Sequence, residues 1–241
     1  CISCRWTEKF GESKFCFPCG EYTKAIAPAL VPVPTNNVTY HSVVNQFVQS
    51  WRHPTCCPNV QAIYKVVTRP EITDRYNVYR NVVEFRGGFT AMGLTSGNQQ
   101  RQWHGTNRAC RVGDPHQTFL CYSPQCALCS IIRTSFDIAR SKEKTGWGRF
   151  GNGIYTSSTS SKSNDYSKNI VPSPWKAVLL ACVVVGKAKA FILDHPKLTQ
   201  PPEGFDSVIG EPSFLGSLNY DELVVYTNDA VRPAYLVMYD S

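Results

Sequence analysis

Five groups of residues in this sequence combine side-chain types and spacings suited to chemistry. Eight of the eleven cysteines fall into two tight sets. In the first, Cys1-x2-Cys4 is followed after eleven residues by Cys16-x2-Cys19, and four thiolates on two knuckles match a tetrahedral zinc site. In the second, Cys110, Cys121, Cys126 and Cys129 are spaced x10, x4 and x2, with His116 in the first gap. Cys121, Cys126 and Cys129 read as three ligands, and Cys110 or His116 as the fourth. The stretch Gly153 to Tyr166 brings Tyr155 along a short strand and then Ser163 and Tyr166 on a helix. Three residues apart, those two share a helical face. Two aromatic rings around one hydroxyl suit a flat aromatic ligand that carries an amide. Trp103-His104-Gly105-Thr106 places a histidine beside a glycine, where backbone can approach a ligand closely. Glu222 is an acid at the start of the apolar run Leu223-Val224-Val225-Tyr226, and burying a carboxylate needs a reason.

The elements that must position these residues follow from periodicity. Helical spacing of Tyr40, Val43, Val44, Phe47 and Trp51 predicts a helix over 38–51, ended by Pro54 and Pro58. Alternation predicts a strand over 60–67, and Ile72, Tyr76, Tyr79, Val82 and Val83 a second helix over 69–85. Residues 88–100, rich in Gly and Gln, read as a surface loop. A helix is expected over 127–135, and another capped by Ser160 or Ser161. The tail is β-rich, with strands over 175–185, 187–193, at Glu222, and over 232–239.

At 241 residues the chain suffices for one sizeable core. Its longest apolar run, Ala177 to Gly186, is too short to span a bilayer, so no membrane role is expected. The start at Cys1, without Met or a signal pattern, points to a piece of something longer. Paired C-x-x-C spacing without such a signal favours zinc over disulfides, and hence an intracellular setting, cytoplasmic or nuclear. The sequon Asn37-Val38-Thr39 matters only in a secreted protein and is set aside. A net charge of +7 permits an acidic partner, but no Lys/Arg block points to nucleic acid.

Gly153-Ile154-Tyr155 followed by Ser161-Lys162-Ser163-Asn164-Asp165-Tyr166 resembles the poly(ADP-ribose) polymerase family, the diphtheria-toxin-like ADP-ribosyltransferases. His104-Gly105-Thr106 and Tyr220-Asp221-Glu222 with its apolar tail resemble the same family's other two signatures, in the same order. The resemblance runs from about Val60 to the C-terminus. It implies an α+β ADP-ribosyltransferase fold, a split pair of mainly antiparallel sheets with short helices. The expected division is a Cys4 zinc-binding segment over 1–26, a linker and helix over 27–59, and a catalytic domain over 60–241. The Cys-rich insert at 107–130 departs from the family pattern: tankyrases carry their zinc after the Gly-Ile-Tyr strand, and here the cysteines precede it.

By resemblance, NAD is the substrate and His104, Tyr155 and Glu222 form the catalytic triad. Tyr155 and Tyr166 would hold the nicotinamide ring, while Ser163 and the Gly105 backbone bond its carboxamide. His104 would donate or accept a hydrogen bond at the adenine-side ribose, with Thr106 where the family often has Ser. The expected reaction transfers ADP-ribose to a protein or nucleic-acid acceptor, with elongation to a polymer permitted by Glu222. Both zinc ions are expected to be structural, the N-terminal one either a nucleic-acid knuckle or a clip. The alternatives are NAD hydrolysis and a zinc-dependent nucleic-acid module with an inactive transferase part. Blander readings make the 153–166 stretch a Ser-rich loop and the second cysteine set plain core residues. Oligomeric state is left open.

Overall fold

The protein is described by a computed structural model over residues 27–140, 148–216 and 218–240. Cys1, Cys4, Cys16 and Cys19 lie outside the described residues. The expected α+β architecture of split, mainly antiparallel sheets is observed.

The larger sheet has five antiparallel strands, from edge to edge β1 (Ala29–Pro32), β2 (Val60–Val67), β11 (Val231–Asp240), β7 (Trp175–Val184) and β3 (Gln99–His104). Its centre is buried on both faces, because side chains alternate sides along a strand. Ala177, Leu179, Ala181 and Val183 of β7 enter one core, and Val178, Leu180, Cys182 and Val184 the other. Helices α1 (Val38–Gln49) and α2 (Pro70–Gly87) cover the second face through Val43, Phe47, Tyr76 and Val83. Helix α3 (Ala127–Thr134) covers the first face through Leu128 and Ile132, beside Cys126 and Cys129. β1 packs through Leu30 into the first core and α1 through Val43 and Phe47 into the second, each with strands that follow in the chain. Their ends are locally encoded. Asn37 caps α1 by accepting from the Thr39 amide at 2.8 Å, so the sequon asparagine is a capping residue. Pro70 starts α2, and Gly88 ends it at φ 62°.

A second sheet has the order β5 (Ile154–Thr156), β10 (Glu222–Val225), β9 (Ser207–Gly210) and β8 (Ala188–Phe191). The two sheets meet where Trp103 and Ser157 exchange backbone hydrogen bonds of 2.8 and 3.0 Å. Beyond this junction, β4 (Asn107–Arg108) pairs in parallel with β6 (Lys168–Asn169). Among the described residues no helix is long and apolar enough to cross a membrane.

Two local expectations change. The 88–100 segment holds two short 3-10 turns and already begins β3 at Gln99. Its turns are organised by Glu84, whose carboxylate accepts from the amides of Thr90 and Gly97. The helix α4 (Ser160–Tyr166) has Thr159 at its N-cap, and not Ser160 or Ser161. Those two serines are buried against the end of α1 and serve it instead. Ser160 donates to the Phe47 carbonyl at 2.7 Å, and Ser161 Oγ accepts from the Arg52 and His53 amides at 3.0 and 3.2 Å.

Arg108 is 1% exposed and ties the Cys-rich insert to the sheet. It donates to Asp114 and to the Val112 carbonyl at 2.9 Å, to Asn169 at 3.0 Å, and to the Trp175 carbonyl. Removing one partner of a buried pair strands the other charge, at about 3 to 5 kcal/mol. Asp114→Ala and Arg108→Met should therefore each lower the unfolding free energy by that order in denaturant titration, since each strands the other's buried charge.

Candidate active site

The site is assembled at the junction of the two sheets. Antiparallel pairing sets Leu223 against Thr156 and Val224 against Tyr155, which brings the Glu222 strand alongside the Gly-Ile-Tyr strand. The Trp103–Ser157 bridge then delivers His104 to the other edge of β5. His104 Nδ1 lies 2.9 Å from the Tyr155 carbonyl oxygen. A carbonyl only accepts, so Nδ1 carries the proton. The ring of Phe136 stands perpendicular to that ring, with centroids 5.0 Å apart and an interplanar angle of 89°. Thr106, half-buried, follows at the start of the insert.

Gly105 is required by the protein itself. A Cβ there would lie 1.8 Å from the Ser163 carbonyl oxygen, so the His-Gly turn packs directly on α4. Gly151, at φ 71°, meets the Leu198 carbonyl in the same way, which seats the 192–206 loop against the start of β5. The Tyr155 hydroxyl donates to the Gly151 carbonyl at 2.8 Å and accepts from the Phe150 amide at 3.0 Å. Burial pushes this phenol well above its ordinary pKa, so it stays protonated and its ring is held rigid. On α4, Ser163 is buried while Tyr166 keeps 55% of its surface exposed. Partial burial first, then the charge of Glu222, raise the Tyr166 phenol. Between them Asn164 is anchored by Lys176 Nζ and by the Tyr239 hydroxyl at 3.0 Å, which fixes the turn of helix that carries both.

Glu222 is 8% exposed. Its Oε1 accepts from Lys162 Nζ at 2.8 Å, and Lys162 also donates to the carbonyls of Tyr220 and Asp221 at 3.2 Å. Glu222 Oε2 is buried and has no hydrogen-bond partner among the described residues. A buried carboxylate oxygen left bare is costly. A cavity of about 430 Å³ opens at this point, with Lys162, Tyr166, Tyr220 and Glu222 on its wall beside His53 and Arg149. His104, Gly105, Thr106, Tyr155 and Ser163 do not line this cavity; His104 bonds to the Tyr155 carbonyl and Gly105 packs on Ser163, in the elements that carry Tyr166 and pair with the Glu222 strand.

Two residues at the centre of this arrangement were given no role by sequence. Lys162 lay inside the Ser-Lys-Ser motif, and its spacing from Ser163 gave no sign that it reaches Glu222. Asp221 had no periodic or motif signal of its own. Its Oδ1 accepts from Ser157, Ser158 and Thr159 hydroxyls at 3.1, 2.8 and 3.2 Å, and its Oδ2 from the Ser158 amide at 2.8 Å. Thr159 therefore makes no side-chain bond within its own helix. The β5–β10 ladder ends at Thr156, and the Asp221 carboxylate carries the connection on to α4.

Cys110, Cys121, Cys126 and Cys129 bring their sulfurs within 4.8 Å of one another, a cluster able to hold a metal ion. The choice left open between Cys110 and His116 falls to Cys110, because His116 is exposed, at φ 62°, and not part of the group. Backbone amides of Ala109 and Val112 donate to Cys126 and Cys110 sulfurs at 3.3 and 3.5 Å, as suits thiolate ligands.

Asp221→Ala leaves the Ser157 and Thr159 hydroxyls, both buried, without their acceptor. It should lower stability by about 1 to 3 kcal/mol in denaturant titration. Asp221→Asn keeps an acceptor for the three hydroxyls but presents an amide to the Ser158 N–H, and should recover part of that loss.

The chain matches the family model described as poly(ADP-ribose) polymerase catalytic domain over residues 39–216. That span includes the His104 and Gly153–Tyr166 segments and stops short of Glu222, which joins them by strand pairing. Protein mono-ADP-ribosyltransferase PARP3 of Mus musculus is 30% identical over 155 residues, 64% of this chain and 22% of the relative. The Homo sapiens protein of the same name is 27% identical over 171 residues, 70% of this chain and 25% of the relative. Protein mono-ADP-ribosyltransferase PARP4 of Homo sapiens is 31% identical over 103 residues, 42% of this chain and 6% of the relative. The chain thus spans at most about a quarter of the length of these relatives. A family match over most of the sequence, on a fold that gathers the signature residues at one junction, means that the chain belongs to the poly(ADP-ribose) polymerase catalytic domain family.

Proposed function

We propose that this protein is an NAD-dependent ADP-ribosyltransferase, moving ADP-ribose from NAD to an acceptor and releasing nicotinamide. The observation that carries the reading is the bare, buried Oε2 of Glu222, a residue of the cavity wall, with the other oxygen held by Lys162. In this reading Oε2 accepts from the 2′-hydroxyl of the nicotinamide ribose. As the bond to nicotinamide breaks, positive charge grows on that sugar, and a fixed carboxylate beside it stabilises the transition state more than the ground state. Glu222 also takes the proton of the attacking hydroxyl. Lys162 and Asp221 are positioning residues: they hold the carboxylate and the strand end without touching the reacting bond.

The ring of nicotinamide lies between Tyr155 and Tyr166, with its carboxamide on the Gly105 backbone and Ser163. His104, with Nδ1 on the Tyr155 carbonyl, donates or accepts a hydrogen bond at the adenine-side ribose. Thr106 stands beside it on the same side of the site. The acceptor is a protein or a nucleic acid. The names of the relatives favour transfer of a single unit over a polymer. NAD hydrolysis is the competing outcome, with water in place of the acceptor.

The metal reading belongs to the same proposal. Four sulfurs at tetrahedral-site spacing suit zinc, and the site is structural because none of the four lies at the cavity. A second zinc on Cys1, Cys4, Cys16 and Cys19 rests on the C-x-x-C spacing alone. Free thiols at this density fit a reducing, intracellular compartment. The division into 1–26, 27–59 and 60–241 rests on the sequence reading alone, and β1 and α1 of the middle part pack with the catalytic strands. Metal analysis of freshly purified protein should return two zinc ions per chain; one or none would remove the corresponding site.

Incubation with labelled NAD tests the reaction. Label on protein or nucleic acid as a single shift supports transfer of one unit, a ladder supports elongation, and label only in free ADP-ribose supports hydrolysis. Glu222→Gln should retain NAD but lose turnover by on the order of a hundredfold or more. Wild-type turnover in that variant would make Glu222 structural. Benzamide, a ring and a carboxamide alone, should compete with NAD. Tyr166→Ala should weaken benzamide several-fold, since an aromatic pair contributes about 0.5 to 1.5 kcal/mol beyond area burial.

A further inference from the structure

The Cys-rich insert begins and ends at the same place. It leaves the first sheet at His104 and returns through α3 to Phe136, and those two rings are in edge-to-face contact at 5.0 Å. Between them, residues 109–126 form no helix or strand, only turns. A stretch of this length without regular structure has few backbone bonds of its own to hold its shape. Cys110 lies two residues beyond β4, Cys126 immediately precedes α3, and Cys129 is on α3 itself, with Cys126 and Cys129 fully buried. The four sulfurs therefore join the outgoing arm of the loop to the returning one. Beyond α3 the chain turns sharply at Ser135, φ 65°, and this turn points Phe136 at His104.

The opposite end of the site is built from other parts. Tyr155, Ser163, Tyr166 and Glu222 come from β5, α4 and β10, none of which includes a residue of the 107–136 segment. The hold on His104 is thus divided. Its Nδ1 is fixed by the Tyr155 carbonyl, while its ring plane is fixed by Phe136.

We propose that a metal ion bound by Cys110, Cys121, Cys126 and Cys129 governs the adenosine-ribose end of the NAD site by holding Phe136 against His104, and leaves the nicotinamide end unaffected. The inference rests on the NAD reading given above. A thiolate-preferring divalent ion, zinc by its chemistry, supplies the order that the turn-only segment lacks. Occupancy of the metal site then sets affinity for the adenosine-ribose part of NAD, and metal loss acts as an off-signal without altering Glu222 or the tyrosines.

The test compares two probes, ADP-ribose and benzamide, by calorimetric titration of the whole protein. Protein as purified is compared with protein dialysed under reducing conditions against a high-affinity zinc chelator, and with the latter after zinc is restored. The expected result is that metal removal weakens ADP-ribose by about tenfold, within the usual range for coupling between two sites. Benzamide should change far less, and zinc should restore ADP-ribose binding. Phe136→Leu keeps all four cysteines, and should weaken ADP-ribose while zinc content stays unchanged. Unchanged ADP-ribose affinity in the zinc-free protein, or in Phe136→Leu, overturns the coupling. Parallel loss of both probes overturns it too, because the metal would then support the whole fold and not one end of the site. If neither probe binds the untreated, zinc-loaded protein, the NAD reading itself fails, and that result is separate because it precedes any removal of metal.

Discussion

Burying one carboxylate is the constraint around which this site is built. Glu222 starts an otherwise apolar strand whose other three residues are all buried, so its charge cannot escape to water without breaking the β5–β10 pairing. An isolated charge in such a place is strongly unfavourable. The protein offsets it with one ammonium, Lys162, reached from a different element. The lysine is in turn committed by two backbone carbonyls of the same strand entrance, and so cannot swing away without leaving them unpaired. One carboxylate oxygen is thereby fixed and the other left bare, an arrangement that favours a hydrogen-bond donor such as a hydroxyl over an acceptor-only or anionic group.

That constraint propagates outward. Lys162 reaches Glu222 only if α4 lies across the start of β10, and the Asp221 carboxylate enforces this by gathering three hydroxyls and one amide from 157–159. The same 157–159 segment pairs with Trp103, whose indole donates to Ser50 at the end of α1. Ser160 and Ser161 close the other side of the α1 terminus. The Ser-rich stretch is therefore dense in hydroxyls because it joins two sheets and a helix end at one point. Each hydroxyl both donates and accepts, so a short segment can satisfy several elements whose backbones do not pair with one another.

The insert is held by different physics. Its segment between β4 and α3 has no helix or strand, and is held by Val112 in the core, the buried Arg108–Asp114 pair and the four clustered sulfurs. The last two are interactions in which losing one member is far worse than never having had the pair. Such a segment either adopts one shape or fails, and it carries the phenylalanine that faces His104.

Much of this was legible in the residues. Periodicity located β2 over its observed span, and α1, α2, α3 and the long central strands to within a few residues, because apolar spacing of 2.0 or 3.6 is a local property. The three signature segments pointed to one site because residue type and order along the chain carry that resemblance. What sequence could not decide depended on approaches between distant segments. Cys110 and His116 were equivalent in spacing, and only the packing of α3 against β4 set Cys110 among the other sulfurs. The serine chosen as helix cap was wrong because the burial of Ser160 and Ser161 against α1, 109 to 113 residues away in the chain, redirected their hydroxyls. Gly105 looked like room for a ligand, and the clash is with the Ser163 carbonyl. Lys162 and Asp221 act on partners about sixty residues away, across a sheet junction that no local pattern describes. Local periodicity and motif order thus determined the elements and the identity of the site. Strand pairing across the junction decided which hydroxyls, sulfurs and charges meet, because those contacts exist only once the chain has closed on itself.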